Sequence, residues 1–391
     1  MMSVEEVHTA CAATDRAALC HNLGLLRSRL QRGTRLLAVV KADAYGHGLA
    51  LVAPVLARAG VDAFGVATVS EGAELRALGL QQPVLVLCGA HGSELKTAAQ
   101  ERLAVALLDR EHLQEIEQTN LPQRLAVHIK VDTGMGRLGT TPEALHDLLE
   151  DLGGARNIIV AGVFSHFGNA DRVDTEFCQG QLRRFREVVG WVKQRWPSCV
   201  VHLANSAGTW SEPESHLDMV RPGLLLYGVS PGSNLDCEDF RPVMRFTAPV
   251  IQVREVPAGR PLGYGQTYIT RRITRVAVLG VGYADGYDRR LSNVGTVGIR
   301  GHTVPVVGRV SMDATLVDVT DVPAVRVGDH ALLWGELDGM RIPVEEVASR
   351  AGTIPYEMLT RLGRRVRRCW QESATTYSMD GPAIARRIDH G

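Results

Sequence analysis

The stretch LLAVVKADAYGHG (residues 36–48) sets the fold prediction. Five apolar residues lead directly into Lys41, a helical pattern follows at 48–59, and a second apolar run, VDAFGVA, covers 61–67. Apolar runs that are continuous rather than alternating are typical of parallel strands covered on both faces. The stretch therefore predicts a strand–helix–strand unit whose first strand ends on a lysine.

The same alternation continues as far as residue 228. Eight strand candidates with helices between them predict a (β/α)8 barrel of the TIM type. A doubly wound sheet is the alternative, but no G-x-G-x-x-G motif follows the first strand. The other apolar runs are PVLVL (83–87), LAVALL (103–108), LAVHIKV (125–131), NIIVAGVF (157–164), VVHLA (200–204) and GLLLYG (223–228). The other helical patterns cover 15–31, 70–79, 93–102, 111–118, 141–154 and 174–196.

The pattern changes after about residue 240. Alternating strands follow one another closely, and Arg300-Gly301-His302 reads as a hairpin turn. A mainly antiparallel β domain is expected, with one short helix at 344–352. We predict a barrel over 12–238, a β domain over 239–370 and a mobile tail over 371–391. The strand candidates are 248–256, 274–281, 297–310, 314–319 and 329–335.

Composition and charge exclude several classes of protein. The 391 residues carry 43 Lys and Arg against 43 Asp and Glu, so no whole-chain charge attracts nucleic acid or an anionic membrane. No apolar run is long enough for a membrane span, and the N-terminal segment lacks a secretory signal. The seven cysteines are scattered without a C-x-x-C motif, so neither a disulfide framework nor a metal site is expected. We expect a cytoplasmic protein.

Polar residues follow the strands where a barrel carries its function, at the carboxyl ends. Each one alone is ambiguous. Lys41 is either a desolvated amine that forms a Schiff base or a lysine that extends from the strand end into solvent. Ser206 and the turn at Gly223 either bind a phosphate or belong to an ordinary helix cap. Alone, Arg137 fits a structural ion pair and His166 a buried rim histidine. Together, a Schiff-base lysine, a phosphate site and an arginine for a heteroaromatic ring describe a pyridoxal phosphate site.

The segment AVVKADAYGHG (38–48) closely resembles the cofactor-attachment segment of alanine racemases. The resemblance covers nearly the whole chain, with its motifs in the family order. It implies a barrel that binds pyridoxal 5'-phosphate, a following β domain joined by residues 1–11, and a head-to-tail homodimer with shared active sites. The other motifs are HIKVDTGMGRLG (128–139), VFSHFGNAD (163–171), HLANSAG (202–208), MVRPGLLLYGVSP (219–231), LGYGQTY (262–268), VGYADGYDRR (281–290), VGRVSMD (307–313) and TIPYEML (353–359).

The resemblance also implies roles for single residues. Lys41 would bind the cofactor and act as base on one face of the substrate, and Tyr264 of the partner would be the base on the other face. Arg221 would contact the pyridine nitrogen, with His166 packed on the ring and bonded to Arg221. Arg137 would contact the phenolic oxygen and the substrate. The phosphate would be held by Tyr45, Ser206, Tyr356 and the backbone of Gly223 and Leu224, with Asn205 beside it.

Further roles concern the substrate side and one modification. Met312 and Asp313 would line the substrate from the partner, with Tyr283 near the entrance. Lys130 matches a position that is carbamylated in many members, where the carbamate would pair with Arg137. These roles imply racemisation of alanine, which supplies D-alanine for peptidoglycan.

Other functions remain open at this stage. Serine is the nearest rival substrate, because an apolar pocket discriminates poorly against an added hydroxyl, and a racemase of broader specificity is a further alternative. A non-catalytic pyridoxal phosphate carrier would lack the β domain and Tyr264. A decarboxylase would carry a different substrate motif, and a structural protein would not need the lysine and its partners. Ser311 stands where many members have cysteine, which bears on fine specificity.

Overall fold

The structure is a computed structural model that describes residues 10–170, 175–232 and 235–371. The predicted tail beyond Gln371 and the first nine residues lie outside the described residues. The first described strand, β1 (Cys11–Thr14), pairs with strands of the second domain rather than with the barrel. The domain limits proposed from sequence stay a prediction.

Eight parallel strands close into a barrel, which confirms the predicted (β/α)8 fold. Each strand bonds the next one in the chain, and the last pairs with the first to close the ring. Their side chains are almost all buried, which explains the continuous apolar runs. The strands are β2 (Arg35–Val39), β3 (Ala63–Val66), β4 (Val84–Val86), β5 (Ala104–Leu107), β6 (Leu125–Lys130), β7 (Ile158–Phe164), β8 (Val200–His202) and β9 (Met219–Val220).

The eighth strand does not lie where the sequence placed it. Residues 223–228 were predicted as a strand, but β9 is Met219–Val220 and Leu224–Tyr227 form a 3-10 turn. The turn is fully buried, and Gly228 ends it with a φ of 71°. A short apolar run looks alike in a buried strand and a buried turn, so periodicity could not separate them.

Seven described helices cover the outside of the barrel at the predicted places, whereas the short segments Lys41–Tyr45 and Ser206–Ser211 at the barrel mouth were not predicted as helices. The best-marked one is α7, where the Thr141 hydroxyl accepts a hydrogen bond from the Ala144 N–H (3.3 Å) and Pro142 is the first residue. The helices of this half are α1 (Arg16–Arg29), α2 (Lys41–Tyr45), α3 (Leu49–Arg58), α4 (Val69–Ala77), α5 (Ser93–Gln100), α6 (Arg110–Gln118), α7 (Pro142–Gly154), α8 (Thr175–Arg195) and α9 (Ser206–Ser211). No described helix is long and apolar enough to cross a membrane.

The second domain is a nine-stranded, mainly antiparallel sheet around the long strand β10. Arg300 and Gly301, both with positive φ, join β14 and β15 in the predicted hairpin. Its strands are β10 (Met244–Val256), β13 (Thr274–Leu279), β14 (Thr296–Ile299), β15 (His302–Pro305), β16 (Thr315–Asp318), β17 (His330–Leu337), β18 (Met340–Ile342) and β19 (Arg367–Trp370), together with β1, and a separate pair is β11 (Pro261–Leu262) and β12 (Tyr268–Ile269). Helix α10 (Val344–Arg350) was predicted, whereas α11 (Pro355–Thr360) was not.

Candidate active site

The polar residues predicted for the site converge on the carboxyl ends of the barrel strands. Lys41 follows β2, Lys130 ends β6, His166 follows β7 and Arg221 follows β9. Because the strands are parallel, these ends meet on one face of the barrel. Asn205 and Ser206 reach the same face at the start of α9.

The segment after Lys41 has an uncommon backbone. Ala42, Asp43 and Ala44 have φ and ψ near 50°, and Tyr45 also has a positive φ (53°). This left-handed turn costs L-residues roughly 1–2 kcal/mol each, so surrounding contacts have to hold it. Gly46 continues the turn at a φ of 77°, with its Cα pressed so closely against the Leu359 carbonyl that a Cβ would lie 2.0 Å from the oxygen.

Hydrogen bonds from both domains hold the lysine turn, which we define as residues 41–48. Within the barrel, the Glu71 carboxylate accepts the Ala42 N–H (2.6 Å), and His47 Nδ1 donates to the Ala44 and Tyr45 carbonyls (3.0 and 2.9 Å). Burial lowers the pKa of His47 to about 4, so at neutral pH the ring is neutral and carries its proton on Nδ1.

The second domain adds two bonds to the lysine turn. The Thr14 hydroxyl in β1 donates to the His47 carbonyl (3.1 Å), and Arg368 Nε in β19 donates to the Gly46 carbonyl (3.4 Å). The lysine is thus positioned by a barrel strand and by two strands of the neighbouring sheet.

The Lys41 side chain lies half-buried in a mixed electrostatic environment. Burial lowers the pKa of its ammonium, and the charge of Arg137 lowers it further, while Cys88 and Glu71 act in the opposite direction. The net effect is a lower pKa, which increases the fraction of neutral amine. A neutral amine is the form that attacks an aldehyde or accepts a proton.

Arg221 is buried, and its two terminal nitrogens are bonded inside the barrel. Nη1 donates to His202 Nδ1 (2.8 Å), and Nη2 donates to the Ser165 and Leu203 carbonyls (2.7 and 3.0 Å). His166 Nδ1 lies 3.3 Å from Nη2. Burial lowers the pKa of Arg221 to about 9, so the guanidinium still carries its charge at neutral pH.

A histidine pair behind Arg221 was not singled out from the sequence. Since a guanidinium only donates, His202 Nδ1 is an acceptor and its proton lies on Nε2, which bonds His128 Nδ1 (2.8 Å). Burial and the charge of Arg221 hold the pKa of His202 well below its ordinary value. Gly162 makes room for the pair, because a Cβ there would lie 2.4 Å from His128 Nδ1. The only sequence signal was a histidine within each of the apolar runs HIKV (128–131) and HLA (202–204), and a histidine that merely fills the barrel would look the same.

Lys130 is a second buried lysine beside Arg221. Its ammonium lies 4.3 Å from the centre of the Phe164 ring. Burial and the charges of Arg221 and Arg137 lower its pKa to about 7. The close contact with Gly139, where a Cβ would lie 2.6 Å from Lys130 Cγ, confines the chain of the lysine.

The loop that carries Arg137 is ordered by one carboxylate. Asp132 accepts the N–H groups of Gly134 (2.8 Å), Met135 (2.9 Å) and Arg137 (3.1 Å). Burial alone would raise the pKa of Asp132, but the backbone donors together hold it below its ordinary value. Arg137 itself is exposed at the mouth of the barrel.

The residues predicted to bind phosphate lie together. Ser206 Oγ accepts the N–H groups of Gly223 (2.8 Å) and Leu225 (3.4 Å). Leu224, the other predicted backbone ligand of the phosphate, lies buried between them, and its contact with the phosphate stays a prediction. Tyr45 presses its hydroxyl against Gly223, where a Cβ would lie 2.5 Å from Oη. The Tyr356 ring lies 6.0 Å from that of Tyr45, and Asn205 caps α9 through the Gly208 N–H (3.0 Å).

The predicted substrate-side residues lie on an exposed face of the second domain. Tyr264 is 72% exposed, Met312 52% and Tyr283 42%. The Asp313 carboxylate accepts a hydrogen bond from Arg365 (2.6 Å). Within the described residues, no hydrogen bond, ion pair or ring contact joins Tyr264 to the barrel. The chain alone therefore does not bring Tyr264 to Lys41.

Comparison with known proteins agrees over almost the whole chain. The profile of the alanine racemase N-terminal domain matches residues 14–231, and that of the C-terminal domain matches 243–370. The alanine racemase of Syntrophobacter fumaroxidans is 42% identical over 353 residues, which cover 90% of this chain and 94% of that protein.

Solved structures show the same relationship. The alanine racemase of Streptomyces coelicolor superposes with a TM-score of 0.88 at 36% identity, covering 95% of this chain and 100% of the other. That of Bartonella henselae, solved with covalently bound pyridoxal phosphate, gives a TM-score of 0.83 at 34% identity, covering 93% and 99%. The architecture and the two matched profiles show that this chain belongs to the alanine racemase family.

Proposed function

We propose that the chain interconverts L- and D-alanine in the cytoplasm, with pyridoxal 5'-phosphate as cofactor, and so supplies D-alanine for peptidoglycan. The observation that carries the proposal is the cluster of cations around Lys41 at the barrel mouth, in a chain of this family. The Bartonella henselae relative, which holds the cofactor covalently, supports the assignment.

The charges at the barrel mouth fit an anionic cofactor. Lys41, Lys130, Arg137 and Arg221 gather there, and their mutual repulsion is visible in the pKa of Lys130, which burial, Arg221 and Arg137 lower. The buried partners of Arg221 are carbonyls and imidazoles, none of which carries a negative charge. The negative charges of pyridoxal phosphate, on its phosphate and its phenolic oxygen, would balance this group of cations.

The polar groups near Gly223 fit the phosphate itself. Backbone N–H groups and hydroxyls are usual phosphate ligands, and here those of Gly223, Leu224, Ser206 and Tyr45 lie close together. Burial raises the pKa of Tyr45, so its hydroxyl keeps its proton and can donate. Gly223 has no side chain to block this space.

The ring end of the cofactor fits Arg221. Both terminal nitrogens already donate to the barrel, whereas Nε has no hydrogen-bond partner among the described residues. Nε is thus the one nitrogen of the guanidinium without a partner among the described residues, and it would donate to the pyridine nitrogen. Because a guanidinium only donates, Arg221 would keep that nitrogen unprotonated, which limits electron withdrawal and favours racemisation over transamination.

The reaction needs a proton taken from one face of Cα and another delivered to the opposite face. When bound, pyridoxal phosphate withdraws electrons from the amino acid and makes its Cα proton acidic. The lowered pKa of Lys41 makes its amine available as the base on one face. Tyr264 of the partner subunit would serve the other face, since its exposed phenol needs a second chain to reach a barrel mouth.

A mixed dimer tests whether sites are shared. Lys41→Ala and Tyr264→Phe subunits are each expected to be inactive. After the two are mixed and re-equilibrated, half of the dimers are hybrids with one intact site, so about a quarter of wild-type activity should return. No recovery, with hybrids shown to form, would place both bases in one subunit and overturn the proposal.

The substrate is tested by a D/L exchange panel. Purified protein is incubated with single enantiomers of alanine, serine and larger amino acids, with Lys41→Ala as control. Alanine should react fastest, and serine is the expected runner-up. Equal rates across the panel would indicate a racemase of broad specificity. Rescue of a D-alanine auxotroph by the gene would support the role in peptidoglycan supply.

Carbamylation of Lys130 is a further part of this proposal. At its lowered pKa of about 7, a large share of the amine is neutral. The neutral nitrogen attacks the carbon of carbon dioxide and loses a proton, which leaves a carbamate anion able to pair with Arg137. A carbamate signal in carbon NMR with labelled bicarbonate, absent in Lys130→Ala, is expected. A plain amine in the labelled wild type would refute it.

A further inference from the structure

Two cysteines far apart in the chain meet in the second domain. Cys11 Sγ and Cys369 Sγ lie 3.0 Å apart, although 358 positions separate them in sequence. Strands β1 and β19 run parallel as neighbours, with Ala13 opposite Cys369 and Cys11 opposite Arg367. Both cysteines therefore project from the same face of the sheet, offset by two residues along the strands.

The surroundings of the pair favour reaction between the sulfurs. Both thiols are half-buried, and one thiol hydrogen lies between the two sulfurs. A decrease of about 1 Å in their separation turns this contact into a bond, within reach of side-chain rotation. The hydrogen bond to Cys369, aided by Arg367 and Arg245, lowers the pKa of Cys11 to about 6 against the effect of burial.

We propose that Cys11 and Cys369 form a redox modification site, where a peroxide converts two thiols into a disulfide that joins the first described strand to the last. The Cys11 thiolate attacks one peroxide oxygen, the O–O bond breaks, and a sulfenic acid and hydroxide result. The Cys369 sulfur then attacks Cys11 Sγ, and the S–O bond breaks. Both thiol hydrogens end in water, so one hydrogen peroxide gives one disulfide and two waters.

The disulfide would close almost the entire chain into a loop. Such a bond constrains the unfolded state, so the oxidised protein should melt at a higher temperature. The two strands it joins are those whose Thr14 and Arg368 side chains hold the lysine turn. A reductant reverses the bond by thiol exchange, which makes the site a switch rather than a permanent link.

The experiment reads thiols directly and so does not depend on the proposed racemisation. The purified protein is treated with one equivalent of hydrogen peroxide, quenched in acid and digested without reduction. We expect the intact mass to fall by two hydrogen atoms and a peptide pair linking Cys11 and Cys369 to appear. Both changes should disappear on treatment with dithiothreitol.

Matched variants separate the pair from ordinary oxidation. Cys20→Ser removes an exposed cysteine of α1 and should behave as wild type, including a melting temperature raised by peroxide. Cys369→Ser should instead gain oxygen atoms on Cys11 and show no such rise. Oxygen addition without a link in the wild type, a link to any other cysteine, or a link only between subunits would overturn the proposal.

Discussion

The contact between Gly223 and Tyr45 gives the sharpest test of the phosphate site. In Gly223→Ala the new Cβ would lie 2.5 Å from Tyr45 Oη and 3.0 Å from Cζ, both closer than carbon atoms tolerate. Gly223 has a φ of −122° and a ψ of −86°, outside the main allowed regions of L-residues, so alanine adds backbone strain to the clash with Tyr45. Tyr45 is buried with its ring 5.0 Å from that of Tyr227, and it cannot withdraw without disturbing its neighbours.

The magnitude follows from the two ways in which the clash can relax. Overpacking of a buried site costs roughly 1–3 kcal/mol. If Tyr45 rotates away instead, the cofactor loses a hydrogen bond to a charged group, worth about 1.5–3 kcal/mol. At about 1.4 kcal/mol per factor of ten, the Kd for pyridoxal phosphate should rise roughly 10- to 100-fold.

The assay is a titration of apoenzyme with pyridoxal phosphate, followed by the absorbance of the bound cofactor. Gly190→Ala in α8 is the control, because open space surrounds that glycine and its Kd should not change. In a Tyr45→Phe background, Gly223→Ala should reduce the binding free energy of pyridoxal phosphate by at least about 1 kcal/mol less than in the wild type, because the clashing oxygen is gone. Strictly additive effects of the two changes, or a wild-type Kd for Gly223→Ala, would refute the reasoning.

Three further changes test the rest of the site. Lys130→Met should remove a pH dependence of the free energy of unfolding. Burial lowers the pKa of Lys130 from 10.5 to about 7, so without carbon dioxide the buried charge destabilises the wild type fully below pH 7. The wild type then gains stability as the pH rises from 7 towards 10.5. Urea unfolding of the apoprotein should show a wild-type gain over the variant of as much as about 5 kcal/mol across that range; equal slopes would contradict it. Arg221→Glu should lower racemisation and raise side transamination, measured as keto acid released, and an unchanged product ratio would count against the role of Arg221. His47→Phe keeps a ring against Tyr227 but loses the Nδ1 donor to two carbonyls. The free energy of unfolding should therefore fall by about 1–3 kcal/mol. An unchanged value would mean that ring packing alone holds the lysine turn.

The barrel could be predicted because its strands are buried on both faces and read as continuous apolar runs. The same property misplaced the eighth strand, at residues 223–228, because burial imposes apolar residues on a 3-10 turn as readily as on a strand. The left-handed backbone after Lys41 was also invisible in the sequence. Alanine, aspartate and tyrosine rarely adopt it, and distant contacts such as Thr14 with His47 impose it.

The site residues likewise divide into those that the sequence could predict and those that it could not. Residues that follow strands, such as Lys41 and Arg221, could be named because the fold fixes where strand ends meet. The His128–His202 pair was missed, since nothing local distinguishes a histidine bonded behind an arginine from one that merely fills the barrel. The meeting of Cys11 with Cys369 depends on strand pairing across the whole chain, which no local pattern encodes.

The anchoring of the lysine turn has a consequence for biosynthesis. One anchor, Thr14, leaves the ribosome before the barrel strands, and the other, Arg368, leaves it after them and after most of the second domain. The backbone that presents Lys41 is therefore completed only after both domains have been synthesised and the strands that carry the two anchors have docked. A nascent or truncated chain can build most of the barrel and still lack the set geometry of its reactive amine.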